Sequence, residues 1–309
     1  MLSQLYLSID ALSTPIVKRF AELSKAVGLQ VFVSSHFFDV CRASQVIRIG
    51  TRHWFYLDDI LNSFDYYYGA VEPVELEGKR IVDYSLPGFH VLKDFGLFPV
   101  FLPSIAEPFV TCSQYLDFAE LREGDVVLDL GAYCGVTSIA FAERVGKSGK
   151  VIAVEADPEN QRAIEKNVTL YSRLGGSTIE LVRAAVWKDC DGISFSSEGN
   201  MGSSAIEIVG IGRGTVVQSP SITPDAIAKQ FSLSRVSFIK CDVEGAELHI
   251  FNSDFLRTFR PRIIIEPHIV NGALCHEAVS SRLRALDYNT ECIQQTGVTL
   301  PLVCATPTA

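Results

Sequence analysis

The run from Val126 to Thr137 reads Val-Val-Leu-Asp-Leu-Gly-Ala-Tyr-Cys-Gly-Val-Thr, and it constrains the fold more than any other stretch of the chain. Val126–Leu130 is short, β-branched and Leu-rich, which predicts a strand buried on both faces. Gly131 and Gly135 follow, then a helical pattern from Val136 to Val145 that Gly146 stops. Two glycines thus line a strand-to-helix turn, where a missing side chain admits close approach to the backbone. Val151–Val154 predicts a second buried strand, with Glu155 at its C-terminal end. Asp157-Pro158 predicts the next helix start, with Asp157 as N-cap and Pro158 at the first helical position.

An acid about twenty residues past a glycine-lined βα turn suits a pair of ribose hydroxyls. The turn is not the dinucleotide fingerprint, which would need glycine at Tyr133 and again at Val136. Its spacing is Gly131-x-x-x-Gly135, preceded by Asp129. A pyrophosphate uses the fingerprint's second glycine to reach the helix N-terminus. Tyr133 in that place points to a nucleoside without phosphates, and so to S-adenosylmethionine.

The rest of the chain extends the same pattern. Residues 1 to about 30 read as helical with Gly28 as a stop, and Gln30–Ser34, Val46–Ile49 and His53–Leu57 read as strands. Phe64 to Val110 is aromatic and punctuated by Gly and Pro, which leaves it without an assignment. From Ser113 a helix leads into the Val126 strand. Leu181–Val186, Val236–Asp242 and Arg262–Glu266 read as further parallel strands, with Ile193–Ser196, Ala205–Val209 and Thr215–Gln218 as an antiparallel excursion. Thr223-Pro224 begins one helix, and Ala273 to Leu286 forms another. Tyr288–Ile293 and Val298–Ala305 flank a Gly297-containing hairpin loop. The fold class is therefore α/β. It is the Rossmann-like, mostly parallel sheet of class I methyltransferases with a closing antiparallel hairpin, preceded by an N-terminal α+β extension. We divide the chain into 1–108 and 109–309. Ligands belong at the C-terminal strand ends of such a sheet.

Two clusters at those ends carry candidate chemistry. Lys240-Cys241-Asp242-Val243-Glu244-Gly245-Ala246-Glu247 leaves one strand, and Glu266-Pro267-His268 leaves the next. Acids crowded at a buried strand terminus are costly unless solvated, hydrogen-bonded or metal-bound. Glu244 and Glu247 can also serve the N-terminus of the following helix. His268 is the side chain best suited to take a proton near neutral pH. Asp242, Glu266 and His268 could equally hold a divalent cation such as Mg2+.

The segment from Val126 to His268 resembles the FkbM-type methyltransferase family. The likeness rests on Val127–Ala132, Val154–Pro158, Ala184–Trp187, Gly202-Ser203-Ser204, Ile239–Glu247 and Glu266-Pro267-His268. At Tyr133-Cys134 the chain departs from the family, which more usually carries Asn and then an aliphatic residue. The resemblance implies S-adenosylmethionine-dependent O-methylation of a small molecule, a sugar or other natural product. It implies a cofactor site of Asp129, Gly131, Ala132, Tyr133, Gly135, Glu155, Ala156, Asp157, Ala184, Ala185 and Asp242. In it Gly131 and Gly135 admit the ligand, and Asp129 anchors the turn or, through water, the methionine amine. Glu155 takes the ribose, Ala156 and Asp157 border the adenine, and Ala184 and Ala185 wall it. Catalysis falls to His268 with Asp242 or Glu266.

The formal net charge of −9 argues against a nucleic-acid partner. No C-x-x-C pair occurs among the 8 cysteines, so a zinc site is not expected and a reducing cytoplasm is. The most apolar stretch, Phe95 to Val110, is interrupted by Pro99, Pro103, Glu107 and Pro108, so no membrane span is expected there. Residues 1–108 are expected to cover the substrate cleft or to form a homodimer contact. Competing readings are an N-methyltransferase, which would favour an Asp/Asn-Pro-Pro-aromatic turn after the fourth strand, and a non-catalytic S-adenosylmethionine-binding scaffold.

Overall fold

The structure is a computed structural model that describes residues 14–209, 215–251, 253–270, 272–297 and 300–308. The first part of the expected N-terminal helix, residues 1–13, lies outside the described residues. The chain forms two compact units, Met1–Phe109 and Val110–Ala309.

In the first unit, α1 (Thr14–Ala26) precedes β1 (Gln30–Val33), β2 (Phe37–Arg42) and β3 (Gln45–Gly50). The expected strand at His53–Leu57 does not form. Thr51–Tyr56 is a 3-10 turn that runs into α2 (Leu57–Asn62) and α3 (Phe64–Gly69). Then come β4 (Val74–Leu76), β5 (Lys79–Tyr84), β6 (Gly88–His90) and β7 (Val100–Leu102). Strands β1-β2-β3-β5-β4 make one sheet. The aromatic stretch largely serves this unit's own core, because Phe64, Tyr67, Tyr68 and Phe95 are buried, whereas Phe89 is exposed.

In the second unit, α4 (Val110–Ala119) leads to β8 (Val126–Leu130), α5 (Val136–Val145), β9 (Lys150–Glu155), α6 (Pro158–Arg173) and β10 (Ile179–Arg183). Asp157 caps α6, its side chain accepting the Glu159 and Asn160 amides, with Pro158 opening the first turn. The third strand stops at Arg183 instead of reaching Val186. Ala184 N–H donates to Glu155 O and Ala185 N–H to Pro220 O, so β11 (Ala185–Val186) leaves the large sheet. The excursion comprises β12 (Ile193–Ser197), β13 (Ser204–Ala205), a short α7 (Ile206–Val209) where a strand was expected, β14 (Thr215–Ser219) and β15 (Ser221–Ile222). After α8 (Pro224–Gln230) come β16 (Phe238–Cys241), α9 (Glu247–Ile250), α10 (Ser253–Phe259) and β17 (Arg262–Ile265). The chain closes with β18 (Ile269–Val270), β19 (Ala273–Leu274), α11 (His276–Arg284), β20 (Tyr288–Gln294) and β21 (Pro301–Pro307).

The large sheet has the order β10-β9-β8-β16-β17-β21-β20. Only β21 runs against its neighbours. Strand order reverses between β8 and β16, and such a switch point opens a crevice at the carboxyl ends. The central strands end level, with Leu130 paired to Cys241 and Cys241 to Ile265. Gly131, Asp242 and Glu266 therefore leave the sheet side by side.

Candidate active site

The turn after β8 is shaped mainly by contacts within the protein. Gly131 has φ +78°, and a Cβ there would lie 1.7 Å from the Asp242 carbonyl oxygen. Its bareness thus serves the approach of two strand ends, where we had expected it to serve a ligand. At Gly135, with φ +83°, an added Cβ would meet the Ile164 side chain at 3.4 Å. Ala132 is buried, and its amide, like that of Gly131, donates to Val154 O. Tyr133 sits between the glycines with φ +51°. That left-handed conformation suits Asn or Gly better than an aromatic residue.

Asp129 is fully buried at the end of β8. Its Oδ2 accepts from Thr137 Oγ1 at 2.6 Å and Ser138 Oγ at 2.5 Å, tying strand to helix. Its Oδ1 has no hydrogen-bond partner and faces Lys240 Nζ at 3.7 Å. Burial pushes the Asp129 carboxyl up, and Lys240 pulls it back.

Glu155 closes β9 with both oxygens engaged. Oε2 accepts the Tyr133 amide and Oε1 the Asp157 amide, each at 2.8 Å. The Asn160 side chain is a third donor to this carboxylate, which has about four acceptor sites in all. Burial, ahead of the neighbouring Asp157, raises Glu155 to about 7.

Asp157, expected to border the adenine, has its side chain fully buried. Besides capping α6, its Oδ2 accepts the Glu198 and Gly199 amides at 2.9 Å and the Ser203 hydroxyl at 2.7 Å. Asp157 thereby ties the segment after β12 to the start of α6. Ala156 is half-buried beside it, and Ala184 and Ala185 are buried apolar positions close to the end of β10.

On the other side of the crevice lies a dense charge cluster. Lys240 is the one cation in the buried β16, and it is 3% exposed. Its Nζ donates to Gly131 O at 2.6 Å and to Asp242 Oδ2 at 3.1 Å. Burial alone would lower this ammonium, yet Asp242 and then Asp129 raise it above its ordinary value. His268 Nε2 lies 3.7 Å from Asp242 Oδ1 and 3.5 Å from Glu244 Oε1. Its Nδ1 lies 2.7 Å from Oε1 of the buried Glu247. Burial by itself would also lower the imidazole, but Glu244, Glu247 and Asp242 hold it well above its usual range.

The expected trio of Asp242, Glu266 and His268 is not the set that converges. Asp242, Glu244 and His268 bring one ligand atom each within 4.8 Å. Glu266 turns to other partners, Oε2 accepting from Tyr115 OH at 3.0 Å and Gln295 Nε2 at 3.3 Å. Sequence reasoning left Lys240 without a role and gave Glu247 only a helix-terminus role. A lone lysine inside a strand buried on both faces had to meet a carboxylate, and that was the available signal.

This is the sheet and crevice of the class I methyltransferases. The profile of the Methyltransferase FkbM domain family matches residues 129–289, about half of the 309-residue chain, and the chain belongs to that family. Protein-L-isoaspartate O-methyltransferase 2 of Archaeoglobus fulgidus is 41% identical over 66 residues, 21% of this chain and 29% of that protein. Protein-L-isoaspartate O-methyltransferase of Methanococcus aeolicus is 36% identical over 66 residues, with the same shares. The chain thus spans under a third of the length of these curated relatives. The methyltransferase FkbM structure from Methylobacillus flagellatus KT aligns at TM-score 0.43 and 15% identity, over 63% of this chain and 50% of that one. Precorrin-6y C5,15-methyltransferase from Geobacter metallireducens GS-15 aligns at TM-score 0.40 and 15% identity, over 66% and 90%. Among the described residues no helix is long and apolar enough to cross a membrane.

Proposed function

We propose that this chain methylates a neutral hydroxyl on a small molecule, a sugar or other natural-product alcohol, and that His268 receives the hydroxyl's proton. The observation that carries this reading is His268 Nε2, set beside Asp242 and Glu244 at strand ends next to the Gly131 turn. When bound, S-adenosylmethionine supplies a methyl carbon made electrophilic by its sulfonium.

The residues present fit that cofactor. Glu155, with the Tyr133 and Asp157 amides and the Asn160 side chain already on it, keeps acceptor capacity for a ribose hydroxyl. Ala156, Ala184 and Ala185 offer adenine an apolar border, and the chain's main task is to hold acceptor and donor in line. An alcohol must also lose a proton, which a positioned imidazole can take.

The charge balance favours a neutral acceptor. Burial, with Asp242 beside them, pushes the Glu244 and Glu266 carboxyls up, so a further carboxylate brought to this wall would add to acids that already resist ionising. The curated relatives are O-methyltransferases by name, which favours oxygen over nitrogen as the acceptor atom. Asp242, Glu244 and His268 would each offer a divalent cation one ligand atom, but a proton on His268 competes for the same position, and our reading gives the imidazole the proton. His268 must shed its extra proton before it can act. Turnover should therefore climb with pH, on a limb above the ordinary imidazole range set by Asp242, Glu244, Glu247 and Glu266 against Lys240, with Cys275 alongside.

The test is S-adenosylhomocysteine release with neutral alcohols and with carboxylates as acceptors. His268→Ala at saturating cofactor should lose about 10²–10⁴ in turnover. A variant within a few-fold of wild type would remove His268 from the reaction. Activity lost to a chelator and restored by Mg2+ would replace the proton-acceptor reading with a metal site.

A further inference from the structure

Glu247 is 1% exposed, yet it does not merely begin α9. Its Oε1 faces His268 Nδ1 at 2.7 Å and accepts the Gly245 amide at 3.2 Å, while Oε2 takes the Cys275 thiol at 3.8 Å. The two imidazole nitrogens therefore meet unlike surroundings. Nδ1 has one short bond to a buried carboxylate. Nε2 has two looser carboxylate neighbours, at 3.5 and 3.7 Å, both partly open to solvent. When the imidazolium gives up a proton, the nitrogen with the shorter and drier bond keeps its own.

We propose that Glu247 is a positioning residue that holds the proton on His268 Nδ1 and aims the Nε2 lone pair at Asp242, Glu244 and the crevice. This rests on the reading of His268 as proton acceptor and adds to it which nitrogen works and why. The arrangement matters because Asp242 and Glu244 alone would draw the remaining proton to Nε2. The imidazole would then present a donor where the acceptor hydroxyl needs a base. A carboxylate behind the ring reverses that preference, as second-layer carboxylates do for other functional histidines.

The wild-type protein provides the first test. Long-range proton–nitrogen correlation of its histidines, at a pH where His268 is neutral, should show Nδ1 protonated and Nε2 bare. A protonated Nε2 would overturn the proposal without any variant. Glu247→Gln keeps the side chain's size and can keep the Gly245 and Cys275 contacts, but it loses the charge. We expect this variant to mix the two tautomers. Its kcat should fall about 10²-fold or more, the scale set by a wrong-tautomer imidazole. Its KM for S-adenosylmethionine should stay within about twofold, because the cofactor side is untouched. A merely structural Glu247 would lower the melting temperature and leave tautomer and kcat alone. That outcome, with His268→Ala inactive, would overturn this inference and leave the proposed function standing. Wild-type turnover in His268→Ala would instead overturn the proton-acceptor reading, and this inference with it.

Discussion

The two sides of the crevice are built from different material. The turn after β8 is a backbone construction, in which Gly131 has room for nothing because the Asp242 carbonyl stands where its Cβ would be. The cluster at the ends of β16 and β17 is a side-chain construction, held by charges on Lys240, Asp242, Glu244, Glu247 and His268. Sterics fix the first whatever the pH. The second depends on protonation and on partial burial of carboxylates. The crevice thus has a stiff floor under a titratable wall. Lys240 belongs to both, since its ammonium bonds the Gly131 carbonyl and the Asp242 carboxylate.

The contrast can be broken from the floor upward. Gly131→Val should cost about 5 kcal/mol or more, through the clash with Asp242 and the left-handed backbone together. It should be read as loss of folded protein in denaturant melts. A folded Gly131→Val that lost only cofactor affinity would return the turn to ligand-driven design. Lys240→Met strands the buried Asp129 and should cost about 3–5 kcal/mol in the same measurement. Wild-type stability there would mean that floor and wall are independent.

Glu155→Gln should weaken S-adenosylmethionine binding by about 1–3 kcal/mol in calorimetry. Its pH dependence sharpens the comparison, because this carboxyl belongs to the floor and yet titrates. Folding raises it from 4.5 to about 7, so between those values the native chain holds the extra proton. Stability should fall as pH rises through that window, by about 3 kcal/mol, and the Gln variant should flatten the slope. Ribose hydroxyls favour the ionised form, so wild-type affinity should rise with pH through 7, whereas the Gln variant should be level. The smallest effect is Tyr133→Gly, which relieves φ +51° and should gain about 0.5–1 kcal/mol. No gain would show that the tyrosine ring repays its own strain.

Much of the floor could be read from the sequence. The β-branched runs, the stop at Gly146 and the Asp157-Pro158 start are local signals, and β8, β9, α5 and α6 stand where those signals put them. The cysteines at 134 and 241 are buried, as small apolar side chains in turns and strands should be. Other features depend on distant partners. The aromatic run at His53 has strand propensity but turns into 3-10 and α structure, a tertiary override that propensity does not report. The third strand stops short of Val186 because the Ala185 amide goes to Pro220 O, which spacing cannot reveal. Asp157 looked like a ligand-facing acid because its five protein donors come partly from residues about forty positions away. Glu266 looked like His268's partner by proximity in sequence, whereas Tyr115 and Gln295 claim it across the fold.

The level ending of β8, β16 and β17 sets where this chain can change length. Leu130, Cys241 and Ile265 share a register, so one residue gained or lost inside any of these strands would swing its exit residue to the opposite face. Asp242 would trade places with Cys241 and its carboxylate would turn toward the helices. A length change between Trp187 and Ile193 leaves that row intact. The connections can therefore vary in length where the three short strands cannot.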